Sequence, residues 1–201
     1  MALTASATSS FSVALPDEHA TRRLAIDIAN SLQAGDFVTL SGDLGAVDIR
    51  KTMEAAAEGV QDRLVKNGIM LEIRAAPEIG TFVADERRVR QSLFNLLANA
   101  VGFSPGGEVV TFAAQRRRDA IVFSVTDRGP GIPADVQDKV FDWFETHSLG
   151  SRHRGTGLGL SLVRSFVELH GGSVTLESAV GRGTTVTCVF PLDHTAERTA
   201  A

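Results

Sequence analysis

The sequence predicts an α/β fold, a mixed sheet with helices on one face. Three observations predict it. Helix-period apolar patterns recur along the chain, short alternating runs pair up as hairpins between them, and no internal repeat or long low-complexity segment interrupts the series. A length of 201 residues fits one domain of moderate size with short appendages. The 43% hydrophobic and 22% charged fractions are those of an ordinary globular protein. No run approaches the roughly 20 apolar residues of a membrane span, and the start MALTASATSSFS has no basic n-region or apolar h-region. A cytoplasmic location without membrane contact is therefore expected of this piece. The balance of 20 basic against 24 acidic residues, a formal −4, argues against a nucleic-acid partner.

Residues 1–16 are rich in Ala, Ser and Thr and read as a loose tail. From Glu18 to Leu32 the residues Leu24, Ile28 and Leu32 recur at helical spacing, and Ala34-Gly35 stops them. Phe37 to Leu40 alternates as a strand. Ile49, Met53, Ala56, Ala57, Val60 and Leu64 trace one face of a helix ending near Asn67-Gly68, and Ile69 to Ile73 is a second strand. Val89, Leu93, Leu96, Leu97 and Ala100 give a helix with a clear buried face, broken at Ser104-Pro105-Gly106-Gly107. Strands follow at Val109 to Ala114 and Ala120 to Thr126; the basic run Arg116-Arg117-Arg118 and Asp119 between them reads as a solvated hairpin turn. After a short helix around Asp135 to Phe141 comes a loop from Glu145 to Thr156, then a helix from Gly157 to His170 stopped by Gly171-Gly172. The hairpin Ser173 to Glu177 and Thr184 to Phe190 and a polar tail over 193–201 close the chain. Cys188, the only cysteine, excludes an internal disulfide and reads as a core residue of the strand TTVTCVF.

Three motifs carry chemistry. The helix of residues 85–103 leaves Asn95, Asn99 and Gly102 together on the side opposite its apolar stripe. An amide oxygen is a neutral hard ligand, suited to a magnesium ion that already carries phosphate oxygens. Paired Asn on an exposed helix face is common, and alone it decides nothing. DRGPGIP puts Asp127 at a strand end, followed by Gly129 and Gly131. An ionised Asp is acceptor-only, so it takes a hydrogen bond from the exocyclic amine of adenine and is repelled by the carbonyl of guanine. Read alone, the motif fits a plain turn equally well. Gly155, Thr156, Gly157, Leu158 and Gly159 open an apolar helix, where backbone N–H groups and the helix dipole receive phosphate. This run does not follow a strand directly and there is no GxxxxGK[ST], so Rossmann and P-loop readings both fail.

NLLANAVGFSP, DRGPGIP, FDWF, GTGLGLSLVRSFVELHGG and GRGTTVTCVFPL stand in the order of the N, G1, F, G2 and final boxes of histidine kinases. From about Phe37 to Leu192 the chain resembles the catalytic ATP-binding domain of sensor histidine kinases, in the superfamily shared with gyrase, Hsp90 and MutL. The resemblance implies the Bergerat α/β sandwich over residues 36–192. It makes 17–35 the remnant of the second helix of a dimerisation hairpin. It implies ATP and Mg²⁺, with Asn99 as the magnesium ligand, Asn95 supporting it, and Asp127 as the adenine anchor. Gly129, Gly131, Gly155, Gly157 and Gly159 fall on the family's glycines, Phe141 and Phe144 on its F box, and Thr184 near the adenine-side water. Residues 142–156 resemble the mobile lid, in which Arg152 and Arg154 are the candidate phosphate cations; solvated loop charges describe them equally well.

Relatives that hydrolyse ATP carry a glutamate base four residues before the magnesium Asn, and this chain has Asn95 there. Water needs a proton removed as it attacks, whereas neutral imidazole, with a pKa near ~6.5, is already a nucleophile. Transfer to histidine is thus expected over hydrolysis. The expected partners are the histidine-bearing hairpin of a homodimeric parent kinase and a response regulator. Two departures pull the other way. Gly102 stands where many of these kinases carry Lys or Arg, and His19 lacks the acidic residue that follows the phospho-accepting histidine. With the resemblance of the lid and last helix to DivL-type proteins, these support the alternative of a pseudokinase-like binding module.

Overall fold

The computed structural model of the chain describes residues 44–141 and 159–192. Every described residue falls in the larger of the two units into which the chain divides, which begins at Gly42. The expected tail over 1–16, hairpin-helix remnant over 17–35, strand Phe37 to Leu40 and polar tail over 193–201 lie outside the described residues.

Strand β1 (Gly45–Asp48) leads into helix α1 (Ile49–Glu58), whose first turn is capped by Asp48: its carboxylate accepts the N–H of Lys51 at 3.0 Å. The stripe from Ile49 to Leu64 is buried as expected, but it is not one helix. It breaks at Gly59 and resumes as α2 (Gln61–Asn67). The backbone leaves helical angles at Val60 (φ −110, ψ 0), and beside it the ring of Phe94 closes on Gly59, its Cδ2 2.8 Å from where a Cβ would stand, so only a glycine lets that ring in. Strand β2 (Met70–Arg74) follows, then β3 (Thr81–Ala84), which periodicity did not reveal because it is four residues long and pairs with β1 across a long stretch of chain.

Helix α3 (Glu86–Phe103) starts at Asp85, whose Oδ1 accepts from the N–H groups of Arg87 and Arg88 at 3.0 and 3.2 Å. Its apolar stripe, Val89, Leu93, Leu96, Leu97 and Ala100, is buried as the spacing predicts. Strands β4 (Val109–Arg116) and β5 (Ala120–Asp127) form an antiparallel pair. Then come the single turn α4 (Ala134–Gln137), helix α5 (Gly159–Leu169), and the hairpin β6 (Ser173–Ala179) and β7 (Gly183–Pro191). The second sheet runs β2-β4-β5-β7-β6, with β2 parallel to β4 and every other pair antiparallel, a mixed and mostly antiparallel sheet.

Alternation sorts its two faces. Phe112, Ile121, Phe123, Val125, Cys188 and Phe190 point into the core shared with α1, α3 and α5, while Thr111, Ser124, Thr126, Thr185 and Thr187 line the other face. Phe82, Phe123 and Phe190 make the centre, with ring centroids 5.8 to 6.2 Å apart in tilted and edge-on contacts. Cys188 is fully buried there, and burial pushes its thiol up to about 12. Arg116 is exposed, as the basic run suggested, but it ends β4 and its side chain is engaged. Its guanidinium donates to the carbonyls of Ile79 and Thr81 at 3.2 and 2.9 Å and ties the approach to β3 onto β4. Among the described residues no helix is long and apolar enough to cross a membrane.

Phe123→Ala removes the ring that touches both other aromatics, and urea unfolding is expected to show a loss of about 3–5 kcal/mol.

Candidate functional site

The face of α3 opposite its buried stripe carries Asn95, Asn99 and Gly102, and the start of α5 lies against it. The two amides have different work. Asn95 accepts from Gln91 Nε2 at 3.1 Å and donates to the carbonyl of Gly159 at 3.4 Å, so it is engaged within the protein. The side-chain amide of Asn99 makes no hydrogen bond among the described residues. A Cβ at Gly159 would stand 3.4 and 3.7 Å from its Nδ2 and Oδ1, so glycine backbone lies directly against this free amide. One turn closer to the end of α3, nothing among the described residues lies within 4 Å of the place a Gly102 side chain would take.

Asp127 ends β5 on the core side of the sheet, 9% exposed. Its Oδ1 accepts two backbone N–H groups, from Gly129 at 2.8 Å and from Thr184 at 3.3 Å. Its Oδ2 has no partner among the described residues. It is not sealed in, because no fully buried side-chain oxygen there lacks a partner. One oxygen is thus fixed by the backbone and the other is presented. Burial raises the carboxyl above the usual aspartate range, and the two N–H bonds pull the other way.

The loop after Asp127 is shaped by what surrounds it. A Cβ at Gly129 would stand 2.8 Å from the Phe103 carbonyl, so the loop runs against the last turn of α3, one turn beyond Asn99. Gly131 has φ +71 and a side chain there would overlap the Ala179 carbonyl; Gly183 has φ +90 and one would overlap the carbonyl of Asp127 itself. Both positions demand glycine.

Two residues that composition and motifs did not single out hold this loop to the β6–β7 hairpin. Ser178 Oγ accepts the N–H of Ile132 at 2.8 Å, donates to the Gly183 carbonyl at 3.0 Å and lies 2.9 Å from Thr184 Oγ1. Gln137 Nε2 donates to the carbonyls of Ile132 and Ser178. The available signal was the hairpin register, which puts Ser178 opposite Thr184. Thr184 therefore reaches Asp127 by its backbone and Ser178 by its hydroxyl.

Phe141 is half-buried, with the Arg164 guanidinium 5.9 Å from its ring centroid and Glu168 orienting that guanidinium at 2.9 Å. Trp143, Phe144, Arg152, Arg154, Gly155, Thr156, Gly157 and Leu158 lie outside the described residues. Asn95, Asn99, Asp127, Gly129, Gly131, Phe141, Gly159 and Thr184 are described. Of these, Asn95, Asn99 and Gly159 meet at the start of α5, and Asp127, Gly129, Gly131 and Thr184 meet at the loop beside the end of α3.

The donor set restricts what ion fits. Among the described residues no group of three or more His, Cys, Asp or Glu is placed to hold a metal. One neutral amide oxygen suits a hard cation that brings most of its oxygen ligands with it, as magnesium does when bound to phosphates and water.

The profile of histidine kinase-, DNA gyrase B- and HSP90-like ATPases matches residues 84–194. The sensor protein DivL of Caulobacter vibrioides is 39% identical over 166 residues, 83% of this chain and 20% of DivL. The circadian input-output histidine kinase CikA of Synechococcus elongatus is 40% identical over 131 residues, 64% of this chain and 17% of CikA. Thus the chain spans about a fifth of the length of these relatives. The crystal structure of full-length ShkA in complex with AMPPNP superposes with a TM-score of 0.69 at 30% identity, over 77% of this chain and 32% of ShkA. The chain belongs to the family of histidine kinase-, DNA gyrase B- and HSP90-like ATPases, and within it to the domain carried by sensor histidine kinases.

Proposed function

We propose that this chain is the ATP-binding catalytic domain of a two-component sensor histidine kinase, binding Mg-ATP and passing the γ-phosphate to a histidine on a helical hairpin. The observation that carries the reading is Asp127. A buried carboxylate held by two backbone N–H groups and offering its second oxygen is an acceptor of fixed direction. It suits the exocyclic amine of adenine and disfavours the carbonyl of guanine. Asn99 would hold Mg²⁺ and the first turn of α5 would receive phosphate. The ion would supply charge neutralisation at the phosphate oxygens.

In this reading the chain's own residues position and do not deprotonate. No carboxylate stands four residues before Asn99. Asn95 is there, and it is engaged with Gly159. A neutral imidazole nitrogen attacks the γ-phosphorus, the bond to the β–γ bridging oxygen breaks, and ADP leaves with that oxygen. The attacking nitrogen needs no base to remove a proton first.

The second reading, a binding module that engages a response regulator or another kinase with weak or no catalysis, is favoured by Gly102. The space beside it is open, and no described side chain supplies a cation there.

Titration calorimetry with Mg-ATP tests the first reading, and absence of heat at millimolar nucleotide would remove it. Labelled ATP with the parent's hairpin added in trans is expected to leave acid-labile phosphate on the hairpin. If ATP binds and none appears, transfer to histidine fails and the binding module stands.

Asp127→Asn is expected to weaken ATP by about 10- to 100-fold, the worth of a hydrogen bond to a charged group. A carboxyl raised by burial is stabilising in its protonated form, and that contribution is lost as pH rises through its folded-state value. At neutral pH the ionised group therefore costs stability, and Asp127→Asn is expected to melt no lower than the parent chain in calorimetry. For the same reason wild-type ATP affinity should fall on acidification at a pH above the 3.8 of an ordinary aspartate. Asn99→Ala is expected to weaken Mg-ATP by about tenfold and to leave binding of adenosine without Mg²⁺ within about twofold, by parallel titrations.

A further inference from the structure

His170 is a buried imidazole that the proposed reaction does not use. It follows the last residue of α5 and is 6% exposed. Its Nε2 accepts the backbone N–H of Asp85 at 3.0 Å, and its Nδ1 lies 2.7 Å from the carbonyl of Phe166. An Nε2 that accepts an N–H carries a lone pair, so the proton is on Nδ1 and is donated to Phe166. The ring also meets Phe190 edge-on at 5.6 Å. Gly172 holds the chain behind it, since a side chain there would overlap the Val189 carbonyl.

Asp85 is the N-cap of α3, the helix that carries Asn95 and Asn99. The two helices run antiparallel, as their contacts record in order: Asp85 with His170, Arg88 over the ring of Phe166 at 5.5 Å, and Asn95 and Asn99 with Gly159. From Asp85 to the midpoint of the two Asn residues is about 18 Å along α3, and from Gly159 to His170 is about 16 Å along α5, at ~1.5 Å per residue. The pins at the two ends thus match in length. A slip of one turn, about 5.4 Å, would satisfy neither.

We propose that His170 is a positioning residue for the phosphate half of the pocket. By taking the Asp85 N–H it fixes α5 lengthwise against α3, and so sets where Gly159 stands relative to Asn99. The adenine half, built on Asp127, Gly129, Gly131 and the β6–β7 hairpin, does not run through this contact. The inference rests on the nucleotide reading above. It goes beyond that reading by assigning a role to a residue at the far end of α5 from the phosphates.

The experiment uses the full chain and three variants, His170→Gln, His170→Asn and His170→Phe. The Gln carbonyl reaches the place of Nε2 and keeps an acceptor for Asp85, whereas the Asn side chain reaches only the place of Nδ1. Phe keeps the ring and keeps neither hydrogen bond. Mg-ATP affinity is expected to fall about tenfold in the Asn and Phe variants, the worth of one hydrogen bond, and to stay within about threefold in the Gln variant. Adenosine binding without Mg²⁺, followed by amide chemical shifts, should stay within about twofold in all three.

Equal losses for adenosine and Mg-ATP would make His170 a general stabiliser and overturn the proposal. So would unchanged Mg-ATP affinity in the Asn and Phe variants. Nitrogen-15 shifts of the wild-type imidazole should report the Nδ1–H tautomer, and the Nε2–H tautomer would overturn the proposal without any variant. If the Phe variant does not fold, the Gln and Asn pair carries the comparison. Failure of wild-type chain to bind Mg-ATP would remove the nucleotide reading itself, an outcome distinct from every result above.

Discussion

Helix α3 has to satisfy two faces at once, and the rest of the fold is arranged around that requirement. Its stripe from Val89 to Ala100 fills the core, and interiors packed at crystal-like density leave no room for rotation about the helix axis. The opposite face is therefore held as firmly as the core is. That is how the half-buried Asn99, whose amide has no hydrogen bond among the described residues, is kept beside Gly159. Phe94, on the same helix, packs into the space that any residue larger than glycine at position 59 would fill. Both ends of α3 are tied as well, at Asp85 by His170 and at Phe103 by the approach of Gly129.

Asp127 shows the opposite economy. Burial disfavours its charge, the backbone of Gly129 and Thr184 offsets part of that cost through one oxygen, and the remainder is carried by the fold. Glycines at positive φ, a serine with three partners and the side-chain amide of Gln137 hold the surroundings in place. A carboxyl whose pKa is raised by burial while two backbone N–H groups bond one of its oxygens has the kind of perturbed environment found at functional sites.

Most of this was legible in the sequence because it is local. The stripe of α3 repeats every three or four residues, the strands around Asp127 alternate, and the glycines of DRGPGIP stand beside the residue they serve. What was not legible depends on partners far along the chain. Strand β3 is four residues whose pairing with β1 spans more than thirty positions. The need for glycine at position 59 comes from Phe94, Arg116 spends its charge on carbonyls of residues 79 and 81, and His170 reads as a helix end until Asp85 is placed beside it. The parallel pairing of β2 with β4 is non-local for the same reason. For Asn95 the sequence shows its place on the polar side of α3, but not that its amide is turned toward Gly159.

The burial of Cys188 has a practical side. A thiol reacts as its thiolate, and one lifted to about 12 in a dry core is almost wholly protonated at neutral pH and out of reach of reagents. With a single cysteine in all 201 residues, the folded protein behaves toward maleimides and spin labels as if it had none. One cysteine introduced on its surface would be the sole point of attachment for a fluorophore or spin label, with nothing to remove first.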